Sequence, residues 1–357
     1  MSEQENDALN INLNSRAVEK LIDYTASGIG STASFVFSRM MARRDAEAKL
    51  IAAEGEAKAK IAEAKTQADT MRIISKAQAD ARSTIISSEA VVGGEVTFGD
   101  LVEQRIQFQE QKRQSNIESV VQQAALELED KEVQDDEVDH DWTARFFNDV
   151  QDVSSEEMQQ IWAKVLAGEV ERSGSTSIKT IGILKNLDKG TADLFRKLCS
   201  ICVSISPDGG IIMDARIPAL GGDAGTNALQ KYGLSFDNLN VLNEHDLIIS
   251  DYNSSYDYKM SVGIPLPGQA PPLWLRFPFR FQGRSWVLVP IKQRWVDKEF
   301  RLSGVALAQS GRELSRVVEI QPMKEYLEDF KKFLGQNDLN MAESGIHLPH
   351  QFQVPPE

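Results

Sequence analysis

Residues 141–195, DWTARFFNDVQDVSSEEMQQIWAKVLAGEVERSGSTSIKTIGILKNLDKGTADLF, carry the clearest helical grammar in the chain. Trp142, Phe146 and Phe147 form one apolar edge. Ser154-Ser155-Glu156-Glu157 has the capping-box pattern that opens a helix. Behind it Met158, Ile161, Trp162, Val165, Leu166 and Val170 recur at helical spacing and share a face. Gly174 ends that run. Ser175 or Ser177 can cap the next helix, with Ile178, Ile181, Leu184 and Leu187 turned inward, and Asp188 can cap another carrying Leu194, Phe195 and Leu198. Four short helices with Ser, Gly and Asp joints predict a compact helical domain over 141–205.

Upstream the composition changes. Residues 1–14 are polar and read as a disordered start. Residues 15–44 form an amphipathic helix rich in small residues, with Arg39, Arg43 and Arg44 at its end. Lys20 and Asp23 interrupt its apolar run, so it falls short of the roughly twenty apolar residues that span a bilayer. A helix of this kind suits a protein partner or a membrane surface, and the contact candidates are Leu21, Ile22, Ile29, Phe35, Val36, Phe37, Arg39, Arg43 and Arg44. Residues 45–92 are dominated by Ala, Glu, Lys, Gln and Arg, with no proline. As one helix, 45–90 would run about 69 Å at 1.5 Å per residue. Its large apolar residues recur at ten to twelve, near the eleven-residue repeat of straight or slightly right-handed associations. So thin a stripe calls for self-association through 45–90. Gly93-Gly94 marks a hinge, 95–128 a second helix, and 129–140 an acidic linker.

Downstream, 206–334 suggests helix, turn, helix and strand around Leu229, Tyr232, Gly233, Leu239, Leu242 and Leu247-Ile248-Ile249. A strand pair turns at Gln282-Gly283, and VALAQSGRELSRVV leads from strand into helix. These features predict a winged-helix-like domain, followed by a flexible tail over 335–357. The expected fold class is therefore mainly α with a small α+β part. It comprises a long amphipathic and Ala-rich N-terminal helix, a helical bundle and a C-terminal winged-helix-like domain.

The chain has 357 residues, with 53 acidic side chains against 39 basic ones and a net charge of -14, which disfavours a surface coated with nucleic acid. Residues 127–141 hold nine acids and one lysine, while 274–301 hold seven basic residues against two acids, interleaved with seven aromatics. Arg276, Arg280, Arg284, Lys292 and Arg294 are the candidate nucleic-acid contacts there. The competing account is strand alternation, with aromatics on the core and arginines in solvent. The acidic helix 235–246 has no Lys or Arg to enter a groove, so nucleic acid is disfavoured.

Two cysteines and a polar, acidic N-terminus point to a reducing, cytoplasmic compartment, with peripheral attachment to the inner membrane open. Cys199 and Cys202 have half a zinc-site spacing. The histidines, His140, His245, His347 and His350, supply no matching half, and the cysteines read as small buried residues. No phosphate-binding loop, nucleophile elbow or paired-histidine motif is present. The expectation is a protein that is not an enzyme, with no cofactor, no metal and no catalytic residue.

Asp141–Phe195, with IWAKVLAGE, the Ser-capped helix and ILKNL, closely resembles the diagnostic block of the bacterial DUF2806 proteins (domain of unknown function 2806). The resemblance continues through YGLSFDNLNVLNEHDLI and LAQSGRELSRVV and spans about residues 15–334. Gly190 departs from it, where the family usually has an acid. The family brings no established biochemical activity. The same block is similar to the helical module of abortive-infection proteins of the Abi-alpha type, which share a W/F-A-x-L-L-A pattern and an I-L-K-x-L helix. AAEGEAKAKIAEAKTQA resembles the long helices of stomatin- and flotillin-like proteins, which line up side by side at membranes. These resemblances imply a homo-oligomer with a helical stalk, associated with a membrane or a partner, in a phage-defence setting. The alternative is a winged-helix nucleic-acid-binding regulator using 274–301.

Overall fold

The computed structural model describes residues 16–30, 33, 36–39, 98–129, 131–206, 212–222, 227–251, 253–262, 277–291 and 299–344. The Ala-rich stretch 45–92 and the start 1–14 lie outside these residues. The chain divides into two compact units, Met1–Glu171 and Arg172–Glu357. The four helices expected over 141–205 all form, and the division assigns two of them to each unit.

The first unit is helical, with α1 (Arg16–Ile29), α2 (Phe98–Glu127), α3 (His140–Val150) and α4 (Glu156–Glu171). Asp139 caps α3 by accepting from the N–H groups of Asp141 and Trp142. An aromatic core ties the helices together. Trp142 stacks on Phe146 with ring centroids 4.9 Å apart, Phe146 meets the Trp162 ring at 5.2 Å, and Tyr24 of α1 meets Trp142 edge-on at 6.2 Å. Gly28 lets α1 approach, because a Cβ there would lie 2.0 Å from the Phe147 ring. Gly30 then turns the chain at a left-handed φ of +67°, so the single helix expected over 15–44 is interrupted. Residues 36–39 are helical again.

The second unit is built on a sheet. Helices α5 (Ile178–Lys185) and α6 (Lys189–Cys199) precede β1 (Val203–Ile205) and β2 (Asp214–Pro218). Then come a 3₁₀ turn at Gln230–Tyr232, α7 (Phe236–Glu244), β3 (Ile248–Ile249) and β4 (Ser255–Asp257). Strands β5 (Phe279–Phe281), β6 (Arg284–Pro290) and β7 (Arg301–Leu307) follow, then α8 (Gln309–Leu314), α9 (Lys324–Gln336) and β8 (Leu339–Glu343). The eight strands are ordered β3-β7-β2-β1-β5-β6-β8, with β4 also on β7, and the strands pair antiparallel. Helix α9 lies on this sheet through Phe330, whose ring is 5.2 Å from Phe281 and 6.4 Å from Phe279.

This sheet overturns the expected fold class. The strands are a major part of the second unit, and the ribbon β5–β6 that suggested a wing is two inner strands of eight. The first helix of the expected helix-turn-helix is only the 3₁₀ turn. Most strands hide from periodicity because they are two to five residues long and pair with distant chain, as Val203 does with Arg216 and Phe281. Residues 339–343, expected in a flexible tail, form β8 against β6. The Gln282-Gly283 turn does form, with φ +50° and +74° at its two central residues, the geometry of a tight two-residue hairpin.

Glu313 holds α8 to the start of α5. Its Oε2 accepts from the Ser177 N–H at 2.8 Å, the Ser177 hydroxyl at 3.0 Å and the Thr180 hydroxyl at 2.6 Å. Gly304 sits mid-strand in β7 at φ +152°, and a Cβ there would fall 2.0 Å from the Ile217 carbonyl oxygen. Gly304→Ala is expected to destabilise the second unit by about 2–4 kcal/mol, read by denaturant unfolding, since the clash is with backbone that cannot rotate away. An unchanged midpoint would show that β2 and β7 separate at little cost.

Candidate functional site

In the first unit the residues singled out for membrane or partner contact lie around α1. Leu21, Val36 and Phe37 are buried, Ile29 is half-buried and Ile22 is exposed. Arg39 pairs with Glu118 at 3.0 Å. Phe35, Arg43 and Arg44 lie outside the described residues. Leu21 on α1 and Val36 and Phe37 beyond it therefore belong to the interior of the folded unit.

The acidic stretch that the sequence suggested as a solvated linker is largely exposed and touches α1 at Lys20 and Arg16. Lys20 Nζ donates to the Gln134 carbonyl at 2.7 Å, Arg16 pairs with Asp135 at 2.5 Å, and the Gln134 N–H donates to the Glu171 carbonyl at 3.0 Å. The Arg16 guanidinium holds the Asp135 carboxyl below its usual range, while burial pushes Lys20 down. Further along α1, the Ser27 hydroxyl lies 2.6 Å from His140 Nδ1 and 2.8 Å from the Thr143 hydroxyl.

Helix α2 has two halves. From Asn116 on, Ile117, Val120, Val121, Ala124 and Ala125 are buried in the unit. Over 98–112 every residue is exposed except the half-buried Val102. Arg113, which bridges Glu110 and Asp152 at 2.9 Å each, marks where the helix leaves the bundle. On the outer half Phe98 is 82 % exposed, Phe108 67 %, Leu101 54 % and Ile106 50 %. The sequence predicts a helix here, and the exposure of these side chains emerges only in the fold. Their amphipathic spacing was the available signal.

In the second unit Arg280 and Arg284 are exposed on β5 and β6, and Arg284 pairs with Glu343 at 3.2 Å. Arg276, Lys292 and Arg294 lie outside the described residues. Phe279 and Phe281, which flank Arg280, are buried against α9. Strand alternation thus puts these rings and Arg280 on opposite faces, and the rings are not offered for base stacking.

The second unit also holds a polar centre that the sequence analysis missed. Asp214 and Arg216 alternate on β2, so they share a face. Arg216 Nε and Nη2 both donate to the Asp214 carboxylate at 2.6 Å, Arg216 Nη1 donates to the Leu302 carbonyl at 3.1 Å, and the Tyr258 hydroxyl donates to Asp214 Oδ2 at 2.9 Å. Both charges are at most 5 % exposed. Burial pushes the Tyr258 hydroxyl and the Cys202 thiol up, and the Asp214 charge adds to both shifts. Cys199 is likewise pushed up by burial, so neither cysteine is disposed to form a thiolate. Among the described residues no group of three or more His, Cys, Asp or Glu could hold a metal ion. The charge pair hydrogen-bonds across strands, and its chemistry is that of a brace. Asp214→Asn is expected to cost about 3–5 kcal/mol in unfolding free energy, because Arg216 is left buried and half-paired. A loss under about 1 kcal/mol would mean that water reaches the pair.

Asp329 of α9 accepts from Lys231 and from the Tyr232 hydroxyl at 2.9 Å, and pairs with Lys332 at 3.3 Å. The Lys231 contact, more than any other, lowers its carboxyl to about 2, while burial and then Asp329 raise Tyr232 to about 12. A depressed carboxyl contributes stability that is full above its ordinary value of 3.8 and lost as pH falls through about 2. Asp329→Asn should therefore flatten the acid limb of the stability profile below pH 4 and leave the neutral limb parallel to that of the wild type. Superimposable acid limbs would remove Asp329 from that role.

A helical unit followed by an antiparallel-sheet unit with helices against it defines a two-unit protein with both helix and sheet, whose described polar clusters join one element to another. The profile of the family described as "Protein of unknown function (DUF2806)" matches residues 100–331, and the chain belongs to that family. The match covers nearly all of α2 and ends within α9. No curated protein and no solved structure matches the chain. Among the described residues no helix is long and apolar enough to cross a membrane.

Proposed function

We propose that this chain is a non-enzymatic, homo-oligomeric assembly protein, joined through its long N-terminal helical region and carrying the sheet-based unit as the part it presents. The observation that supports this most directly is the outer half of α2. A helix with Phe98, Leu101, Ile106 and Phe108 in water has a large hydrophobic incentive to be covered, at about 25 cal/mol for each Å² removed. It follows, after the Gly93-Gly94 hinge, the Ala-rich stretch 45–90, whose thin apolar stripe favours packing against other copies. Because Leu21, Val36 and Phe37 are buried, peripheral attachment to a membrane or a partner falls to Ile22 and to the basic residues Arg43 and Arg44. The Abi-alpha-like spacing of 141–195 makes abortive infection in a bacterial cytoplasm the setting for such an assembly. Nucleic-acid binding through 274–301 is the weaker reading, since Phe279 and Phe281 face the core.

Sedimentation of the full-length protein across a hundredfold range of concentration should give a mass that is a multiple of the single chain, with co-sedimentation on anionic vesicles reporting any membrane affinity. A single-chain mass at every concentration would sink the assembly reading.

A further inference from the structure

The outer half of α2 is specific enough in its pattern to name its occupant. At 100° per residue, Phe98, Leu101, Val102, Ile106 and Phe108 fall within an arc of about 160°, which also holds Arg105 and Gln109 near its middle and Lys112 at its C-terminal end. Asp100, Glu103, Gln104, Gln107, Glu110 and Gln111 occupy the rest of the circumference. The exposed apolar area of the four largest side chains is about 450 Å² per copy, or at most about 900 Å² for a pair, just under the ~1,000 Å² that a stable specific interface clears and in the range of a weak, concentration-dependent one. The order of the residues is close to symmetric about Glu103. Phe98 and Phe108 stand five residues to either side, and Leu101 and Ile106 lie two before and three after.

We propose that residues 98–109 form a two-fold, antiparallel helix–helix interface between two copies of this chain. This rests on the assembly reading above and assigns it a surface. Reversal about Glu103 brings Phe98 of one copy opposite Phe108 of the other and leaves Val102 two residues, about 3 Å along the axis, from the level of Ile106, so the same patch serves both copies and the contact closes. It also sets Arg105 beside Leu101 and Val102 of the second copy. The aliphatic stem of Arg105 can lie along them while its guanidinium reaches water. A parallel, in-register pair would stack Arg105 on Arg105 and Lys112 on Lys112, a like-charge conflict at the centre of the face. A lipid surface would take the same apolar residues only by drawing Arg105 and Gln109 toward hydrocarbon.

The test is a full-length Phe98→Glu/Phe108→Glu variant compared with the wild type by sedimentation, with thermal unfolding as the folding control. The expected result is that the variant keeps its unfolding midpoint and loses at least tenfold in association constant. A wild type that assembles and a variant that assembles equally well overturns this interface while leaving the assembly reading intact. A wild type that is a single chain throughout overturns both. Should the variant not fold, hydrogen exchange on the wild type decides. Protection of the amides of 98–109 that rises with protein concentration supports the second copy, whereas protection independent of concentration means that the face is covered by the chain's own residues 40–97 and overturns the interface.

Discussion

The second unit depends on the close approach of β2 and β7. β7 lies between β3 and β2 in the sheet and also takes β4, so it is where chain from three separate stretches is gathered. The approach is possible because Gly304 has no side chain where the Ile217 carbonyl passes. Arg216 then ties the two strands a second time, its guanidinium spanning from Asp214 on its own strand to the Leu302 carbonyl on β7. Buried charge is a costly way to brace a sheet unless its hydrogen bonds are made. Here Tyr258 takes up a further lone pair of Asp214, so the pair is held in a geometry that offsets its desolvation.

The first unit rests on a different balance. Its core is aromatic and local to α3 and α4, and α1 joins it across a long stretch of chain by matching small residues to rings, as Gly28 does with Phe147. Charge completes the docking. Two basic side chains of α1 meet the acidic stretch before α3, Arg16 at the Asp135 carboxylate and Lys20 at the Gln134 carbonyl, while the other carboxylates of that stretch stay in solvent. The second half of α2 shares that core, whereas its first half extends beyond it with apolar side chains exposed.

Much of the helical part was legible from residues. Of the two serines offered as caps, Ser177 is the one that accepts from the Thr180 N–H, and Asp188 caps α6 as its position predicted. On α4 Trp162, Val165, Leu166 and Val170 are buried as the spacing indicated while Met158 and Ile161 are half-buried, and on α5 Ile181 and Leu184 are buried but Ile178, expected inward, is exposed. The sheet was far less legible. β2 is fully buried yet contains an acid and an arginine, so it looked like part of a loop-rich passage. β8, LNMAE, is polar on one face and follows a helix, which made it look like tail. The polar centre was hidden for the same reason, since Asp214, Arg216 and Tyr258 have no meaning together until the strands are paired.

Helices are local objects, with hydrogen bonds that close within four residues and caps that lie beside them. The sequence by itself therefore determined where α4, α5 and α6 begin, which large apolar residues they bury, where the charge is concentrated and which family the block 141–195 resembles. Tertiary structure alone decided that the eight described strands form one sheet, that the expected wing is part of it, and that α1 buries its apolar side in the helical unit. It also decided that the second half of α2 is core while its first half is surface. Each of those outcomes is a pairing between residues far apart in the chain, and the energy of such a pairing is a property of two surfaces that periodicity along one segment does not record.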